Sequence, residues 1–218
     1  MARLNVAVLI SGRGSNLQAL IDGCAASGFP AQIGLVISNT PDAAGLDRAQ
    51  KAGIATHEVN HRDYSDREDF ETALNQALTG AGIEFICLAG FMRLLTPGFV
   101  NRWKDRLINI HPSLLPAYKG LDTHTRVLAD GVRFTGCTVH FVRAEMDHGP
   151  IIVQAAVPVH ADDDEARLAA RVLAAEHQCY PLALRMIADG RVSIADEIIT
   201  IRGIDSPDTV LINPIIDC

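Results

Sequence analysis

The feature that most constrains the fold is the alternation of short aliphatic runs with helical patterns. The first run, Leu4–Ile10, is followed by a glycine-rich turn, Ser11–Ser15, and then by apolar residues at helical spacing over Asn16–Ala26. An uninterrupted aliphatic run is typical of a strand that is covered on both faces. The same pattern predicts strands at Ile33–Ile37, Thr56–Val59, Glu84–Ala89 and Leu107–Ile110, and helices at Asp42–Ala52 and Tyr64–Leu78. The sequence therefore predicts an α/β fold, with a Rossmann-like, mainly parallel sheet flanked by helices.

The second half of the chain has a different character. His111–Gly120 is rich in proline and reads as a loop, and the tail from Arg191 favours short β segments or irregular chain. Pro181 lies within a long helical pattern, where it is expected to cause a kink. The predicted elements here are a helix at Thr123–Ala129, strands at Thr135–Val142 and Ile151–Val159, and a helix at Glu165–Ile187. Since no linker or repeat divides the chain, we expect two lobes in one domain.

Composition excludes several classes of protein. Of the 218 residues, 48% are hydrophobic and 21% are charged, which excludes a wholly disordered chain. The longest apolar runs are the size of strands and well below the roughly 20 residues that span a bilayer. The N-terminal run reads as a first strand and not as a signal peptide. The net charge of −7 argues against nucleic acid as a partner. Five cysteines without a CxxC motif favour reduced thiols and a cytoplasmic location.

The turn Ser11–Asn16 is a candidate anion site. Its two glycines allow close backbone approach, and the helix that follows presents free N–H groups and the positive end of its dipole. A plain strand–helix turn is the alternative interpretation. A dinucleotide site is disfavoured because Leu17 replaces the third glycine of GxGxxG, and because Ser38-Asn39-Thr40 offers no acidic residue for a ribose. A single phosphate is the better candidate.

Polar residues at a second place suggest acid–base chemistry. Asn109 and His111 end one strand, His140 lies in a later strand, and Asp147 lies in the loop beyond it. Ligands gather at the carboxyl ends of parallel strands, so we expect these side chains around one cleft. An asparagine amide can stabilise a developing oxyanion, and a histidine can move a proton while an aspartate holds it. Each residue alone has an ordinary structural alternative. Metal binding by this His and Asp set is disfavoured, because His111, His140 and Asp147 do not stand at HxxxH or HExxH spacing.

Six segments together carry a family resemblance. VLISGRGSNLQALID, ICLAGFMRLL, LINIHPSLLPAYKGLDTH, GCTVHFV, MDHGPIIVQAAVPV and EHQCYPLAL closely resemble the phosphoribosylglycinamide formyltransferase family, folate-dependent enzymes of purine synthesis. The resemblance covers roughly residues 4–195. It implies a catalytic domain over residues 1–195 and leaves the tail, residues 196–218, without an assigned role.

The resemblance implies a reaction and a set of site residues. In that family, 10-formyltetrahydrofolate gives its formyl group to the amine of glycinamide ribonucleotide. Asn109 would hold the formyl oxygen, His111 would act as the general acid–base residue, and Asp147 would keep His111 protonated. His140 is a weaker candidate near the site. The ribonucleotide would be bound by Gly14, Ser15, Asn16, Leu173, Ala174, Ala175 and Glu176. The folate would be bound by Arg67, Met92, Arg93, Leu94, Leu95, Asn109, Arg143, Ala144, Glu145, Met146 and Asp147.

Several of these residues keep an alternative interpretation. Without the resemblance, Arg67 is a solvated charge at a helix start, residues 91–95 are core packing and Glu176 lies on an exposed helix face. The resemblance implies a co-substrate, 10-formyltetrahydrofolate, and small-molecule partners, with no metal, nucleic acid or membrane and with a monomer or homodimer.

Three other functions stay open. A formyltransferase for methionyl-tRNA or an amino sugar is expected to carry an added domain, and a formate-releasing hydrolase an N-terminal regulatory domain. This chain begins at the first strand and ends soon after the long helix. A non-catalytic binding module is disfavoured by the presence of Asn109, His111 and Asp147.

Overall fold

The structure is a computed structural model that describes residues 2–203 and 208–214. The elements follow the predicted alternation, and most bounds lie within a few residues of those expected. A 3₁₀ turn at His61–Asp63 precedes the third helix. The strands are β1 (Leu4–Ile10), β2 (Ala31–Ser38), β3 (Thr56–Glu58), β4 (Phe85–Leu88), β5 (Leu107–His111), β6 (Phe134–Phe141), β7 (Ile151–Pro158), β8 (Val192–Ala195) and β9 (Ile198–Ile201). The helices are α1 (Ser15–Ala25), α2 (Ala44–Lys51), α3 (Arg67–Gly80), α4 (Pro97–Arg102), α5 (Thr123–Asp130) and α6 (Glu165–Ala188).

The central sheet has seven strands in the order β3-β2-β1-β4-β5-β6-β7. Strands β1 to β5 are parallel to one another, which confirms the α/β fold class. The chain leaves β1 toward one edge of the sheet through β2 and toward the other through β4. Loops after β1 and β4 therefore diverge at this point and open a crevice between them, where ligands of such sheets bind.

Strand β6 runs antiparallel to β5, and β7 runs antiparallel to β6. His140 therefore lies on an antiparallel strand, and not at the carboxyl end of a parallel one. His140 lies directly opposite Asn109 across the β5–β6 ladder. It reaches the same place because paired residues of neighbouring strands point to the same face of a sheet.

The hydrophobic core lies on both faces of the sheet, as the continuous aliphatic runs predict. Val6, Val8 and Ile10 of β1 pack on the side that holds α1 and α6. Ala7 and Leu9 pack on the opposite side with α3 and α4. All five side chains are fully buried. This alternation fixes β1, and with it the start of the glycine-rich turn, at the centre of the molecule.

Three features differ from the predicted elements or refine them. Helix α4 was not predicted because it has only six residues, with Thr96 accepting a hydrogen bond from the Phe99 N–H as a cap. Helix α6 continues past Pro181 to Ala188, and Pro181 packs against Gly23 of α1. Strands β8 and β9 form a hairpin, and the predicted boundary between residues 195 and 196 falls in its turn. Within the described residues, no helix has the length and apolar character to cross a membrane.

Candidate active site

Two clefts lie on either side of one segment, residues 89–95, that follows β4. The first cleft is lined by the glycine-rich turn, with Ala89, Gly90 and Met92 on its other side. Phe91, Arg93, Leu94 and Leu95 line the second cleft. Neighbouring residues of the segment thus line different clefts, so the two clefts share a wall. We call them the anion cleft and the donor cleft.

In the anion cleft, the turn presents the start of α1. Gly14 has a φ of +70° and precedes the first helical residue, with no side chain capping the helix. The Gln18 N–H bonds to the Gly14 carbonyl, so the N–H groups of Ser15, Asn16 and Leu17 have no partner within the helix. These donors and the helix dipole suit an anion.

Helix α2 holds the turn from behind. The Gly45 N–H donates to the Gly12 carbonyl at 3.0 Å, and Arg48 Nε donates to the Arg13 carbonyl at 2.9 Å. A Cβ on Gly14 would lie 2.7 Å from Gly45 Cα, so the two backbones meet where neither can carry a side chain. Carbonyls of the turn are thus directed toward α2.

Asn16 links the turn to α6. Its Nδ2 donates to Glu176 Oε2 at 2.7 Å, while its Oδ1 is buried and has no partner in the described structure. Glu176 is buried, not on an exposed helix face, and burial raises the pKa of its carboxyl. Its predicted companions are on the turn of α6 just before it, namely Leu173, Ala174 and Ala175.

Ser11 joins three loops, a role that the sequence reasoning did not assign to it. Its Oγ donates to Asn39 Oδ1 at 2.5 Å and accepts from the Met92 N–H at 2.7 Å. The hydroxyl therefore joins the ends of β1, β2 and β4. The signal available in the sequence was a polar residue directly after each of two buried strands.

His111 and Asp147 come together, although they lie on different elements. His111 Nδ1 is 3.4 Å from Asp147 Oδ1, and His111 Nε2 donates to the Tyr118 carbonyl at 2.9 Å. The side chains are 7% and 12% exposed. Asp147 Oδ2 also accepts from the Gly120 N–H at 2.7 Å. Both ring nitrogens of His111 face acceptors, which suits an imidazolium that donates from both.

His140 orients Asn109. His140 Nδ1 is 3.0 Å from the Phe141 carbonyl, and its Nε2 is 3.4 Å from Asn109 Nδ2. Because a carbonyl only accepts, Nδ1 carries the hydrogen and Nε2 accepts from the amide. Burial lowers the pKa of His140, which favours this neutral form. One amide hydrogen of Asn109 is thus held by His140, and the other is available to a ligand.

Most of the residues expected to bind folate line the donor cleft. Met92 instead lines the anion cleft, and Arg67 is exposed at the first residue of α3. His111 is not on the cleft surface and meets the cleft through Asp147. Residues of the lining that were expected are Arg93, Leu94, Leu95, Asn109, His140, Arg143, Ala144, Glu145, Met146 and Asp147; those missed are Leu88, Phe91, Val100 and Val142.

The donor cleft carries features that fit a flat, partly polar ligand. Leu94 and Met146 are 55% and 49% exposed, so apolar surface is left for a ligand to cover. The Arg93 guanidinium lies over the Phe70 ring at 5.0 Å, and its Nε is buried without a partner. A buried donor without a protein partner leaves a hydrogen bond available to a ligand atom or to water.

The loop from Val142 to Pro150 forms one wall of the donor cleft. Its first residue, Val142, donates its N–H to Leu107 at the start of β5, whereas Asp147 meets His111 at the end of β5. The loop therefore runs back along the strand. This path, not the direction of β6, brings Asp147 to the histidine.

In the part of the chain that the structure describes, no group of three or more His, Cys, Asp or Glu side chains is placed to hold a metal ion. Cys24, Cys87, Cys137 and Cys179 are buried and free of disulfides.

Comparison with known proteins identifies relatives over most of the chain. The family model described as formyl transferase matches residues 4–184. The phosphoribosylglycinamide formyltransferase of Escherichia coli is 47% identical over 191 residues, which are 88% of this chain and 90% of that protein. The human trifunctional purine biosynthetic protein adenosine-3 is 50% identical over 194 residues, 89% of this chain. The chain spans only 19% of that human protein's length.

Solved structures are also similar. Glycinamide ribonucleotide transformylase 1 from Symbiobacterium toebii has a TM-score of 0.89 and 45% identity, with 91% of this chain and 94% of that one covered. Phosphoribosylglycinamide formyltransferase from Brucella melitensis has a TM-score of 0.83 and 49% identity, with 88% and 100% covered.

Proposed function

The chain belongs to the formyl transferase family, and from that premise we propose that it is a phosphoribosylglycinamide formyltransferase. It transfers the formyl group of 10-formyltetrahydrofolate to the amine of N1-(5-phospho-D-ribosyl)glycinamide in purine (IMP) synthesis. The names of relatives that match nearly end to end, such as the Escherichia coli protein, support this choice over other members of the family. A cytoplasmic location and a monomeric or homodimeric state stay predictions.

One observation carries the proposal: the anion cleft and the donor cleft share the wall formed by residues 89–95. The N–H groups of α1 bind the phosphate of the ribonucleotide in the first cleft. The pterin of the folate occupies the second, against Leu94, Leu95 and Met146. Because the protein holds the two substrates on either side of one segment, it can position the amine next to the formyl carbon. This positioning removes much of the entropic cost of a bimolecular reaction.

The side chains at the donor cleft supply the chemistry. The amine nitrogen attacks the formyl carbon, and the Asn109 amide hydrogen that His140 leaves available stabilises the oxyanion. His111 acts through Asp147, the member of the pair that lines the cleft. The imidazolium gives a proton, by way of this carboxylate, to the folate nitrogen as the bond between that nitrogen and the formyl carbon breaks, and the neutral imidazole then takes up the proton that the amine loses. Asp147 accepts the hydrogen of His111 Nδ1 and so orients the ring for this transfer. The amine attacks directly, so no enzyme nucleophile is needed.

A formyl-transfer assay with purified protein tests the proposal. We expect formylated glycinamide ribonucleotide and tetrahydrofolate in equal amounts when both substrates are present. Methionyl-tRNA, an amino sugar and water are the rival acceptors. Formate release that does not depend on the ribonucleotide, or faster transfer to a rival acceptor, would contradict the proposal.

A further inference from the structure

Arg143 lies in the lining of the donor cleft, yet its guanidinium is occupied by protein acceptors. Nε and Nη2 donate to the two carboxylate oxygens of Glu197 at 2.6 and 3.2 Å. Nη2 also donates to Asp105 at 2.8 Å, and Nη1 to the Val142 carbonyl at 3.1 Å. The Arg143 side chain is only 14% exposed. A paired, hydrogen-bonded guanidinium of this kind fixes geometry and has little charge left to offer a ligand.

The two acidic partners come from turns that belong to other parts of the chain. Asp105 precedes β5, and Glu197 lies in the turn of the β8–β9 hairpin, 54 residues beyond Arg143. Asp196 and Glu197 both have a positive φ, of 48° and 61°. Two consecutive residues with a left-handed backbone form a two-residue hairpin turn of type I′. The pairing with Arg143 lowers the pKa of Glu197, so the carboxylate stays charged at neutral pH.

Arg143 is at the base of the loop whose tip carries Asp147. The two ends of the loop meet closely, since a Cβ on Gly149 would lie 2.0 Å from the Phe141 carbonyl oxygen and 3.0 Å from Arg143 Cγ. Gly149 therefore packs closely against the Arg143 side chain and the Phe141 carbonyl at the base of the loop. Because only three residues separate Arg143 from Asp147, we expect a shift of Arg143 to move the wall of the donor cleft as well.

We propose that Glu197 is a positioning residue for the folate donor, which acts by clamping Arg143 at the base of the loop. The inference rests on the proposed function and deepens it, because it gives the β8–β9 hairpin a role in donor binding. Asp105 completes the clamp from the other side. No residue of the hairpin lines either cleft, so the hairpin acts through Arg143.

The test compares Glu197→Gln with Asp196→Asn. Both remove one negative charge from the same exposed turn, and asparagine accepts the positive φ at 196. Only Glu197 bonds to Arg143. We expect E197Q to raise the KM for 10-formyltetrahydrofolate about three- to tenfold, as loss of a bidentate, partly buried ion pair implies. The KM for the ribonucleotide and the Tm are expected to match those of D196N.

Two further measurements keep the inference independent of stability and of the proposed reaction. In an Arg143→Met background, E197Q is expected to add no further rise in donor KM, because the pair acts as a unit. Hydrogen exchange of residues 142–150 in the ligand-free protein is expected to be faster in E197Q than in D196N.

Equal donor KM values for E197Q and D196N, or an equal rise for both substrates together with a lower Tm, would overturn the inference. If the parent protein transfers no formyl group, the proposed function fails. Faster exchange in E197Q would then still support the clamp, and unchanged exchange would overturn it.

Discussion

His111 and Asp147 are the residues on which proton transfer depends. Asp147 accepts from the Gly120 N–H and faces His111 Nδ1, while Nε2 is taken by the Tyr118 carbonyl. Nδ1 is therefore the nitrogen of His111 that can exchange a proton with Asp147. We expect His111→Ala and Asp147→Asn each to lower kcat by about 100-fold or more, in the range of general acid–base contributions.

Steady-state kinetics, with circular dichroism to verify folding, measures this effect. Asp147→Asn keeps an oxygen for the Gly120 N–H, so it separates the charge from the hydrogen bond to the loop. Near-parental kcat in either folded variant would contradict the assignment.

The ionisation of Glu176 is expected to make the stability of the folded protein depend on pH, and the direction of this dependence can be predicted. Burial raises the pKa of its carboxyl above the ordinary 4.5, and the bond from Asn16 only partly offsets this. The folded state then binds more protons than the unfolded state between 4.5 and the raised pKa, so stability falls as pH rises through that window. For Glu176→Gln we expect the free energy of unfolding to vary less with pH and to be greater at neutral pH.

Urea unfolding of the parent and of E176Q at several pH values from 4 to 8 checks this sign. The same variant is expected to bind the ribonucleotide more weakly, because the carboxylate of Glu176 belongs to the set of residues expected to bind this substrate. A parent whose stability rises over this window at the same rate as E176Q would contradict the argument.

At the scale of elements, α2 holds the turn that binds the anion. A Cβ on Gly45 would lie 2.5 Å from Ile10 Cδ1 and 3.2 Å from the Gly12 oxygen and Gly14 Cα. Gly45→Ala must therefore displace the turn or the buried end of β1. We expect a loss of about 1–3 kcal/mol in stability, typical of overpacking, and an increase in the KM for the ribonucleotide.

Gly80→Ala is the matched control, because a Cβ there meets nothing within 4 Å. It is expected to leave both KM values unchanged, as measured by the same assay. If Gly45→Ala behaved like Gly80→Ala, α2 would have no part in shaping the anion cleft.

The elements also show what the sequence could and could not predict. Strands such as Leu4–Ile10 are predictable because a fully buried strand must be aliphatic on both faces. The direction of β6 is not predictable from the sequence, since the same residues can form a strand that runs parallel or antiparallel to β5. Asn109, His111 and Asp147 were named together, but their meeting depends on a loop that reverses along β5. The pair of Arg143 with Glu197 leaves no local pattern because the hairpin alone brings the two residues together.

At the scale of the whole molecule, the sheet decides where chemistry can occur. Strand order changes direction between β1 and β4, so the loops after these strands open toward a common edge. The antiparallel pair β6–β7 then adds the loop from Val142 to Pro150 against β5. The parallel half of the sheet supplies the anion cleft and the wall that the two clefts share. The antiparallel edge supplies another wall of the donor cleft, which is the loop that carries Asp147.

The central claim is that the two clefts hold the two substrates on either side of residues 89–95. A crystal structure with glycinamide ribonucleotide and an unreactive analogue of the formyl donor tests this most directly. We expect the phosphate on the N–H groups of Ser15 and Asn16, the pterin against Leu94 and Met146, and the substrate amine within reach of Asn109 and His111. Both ligands in one cleft, or a His111 ring remote from the amine, would contradict the account.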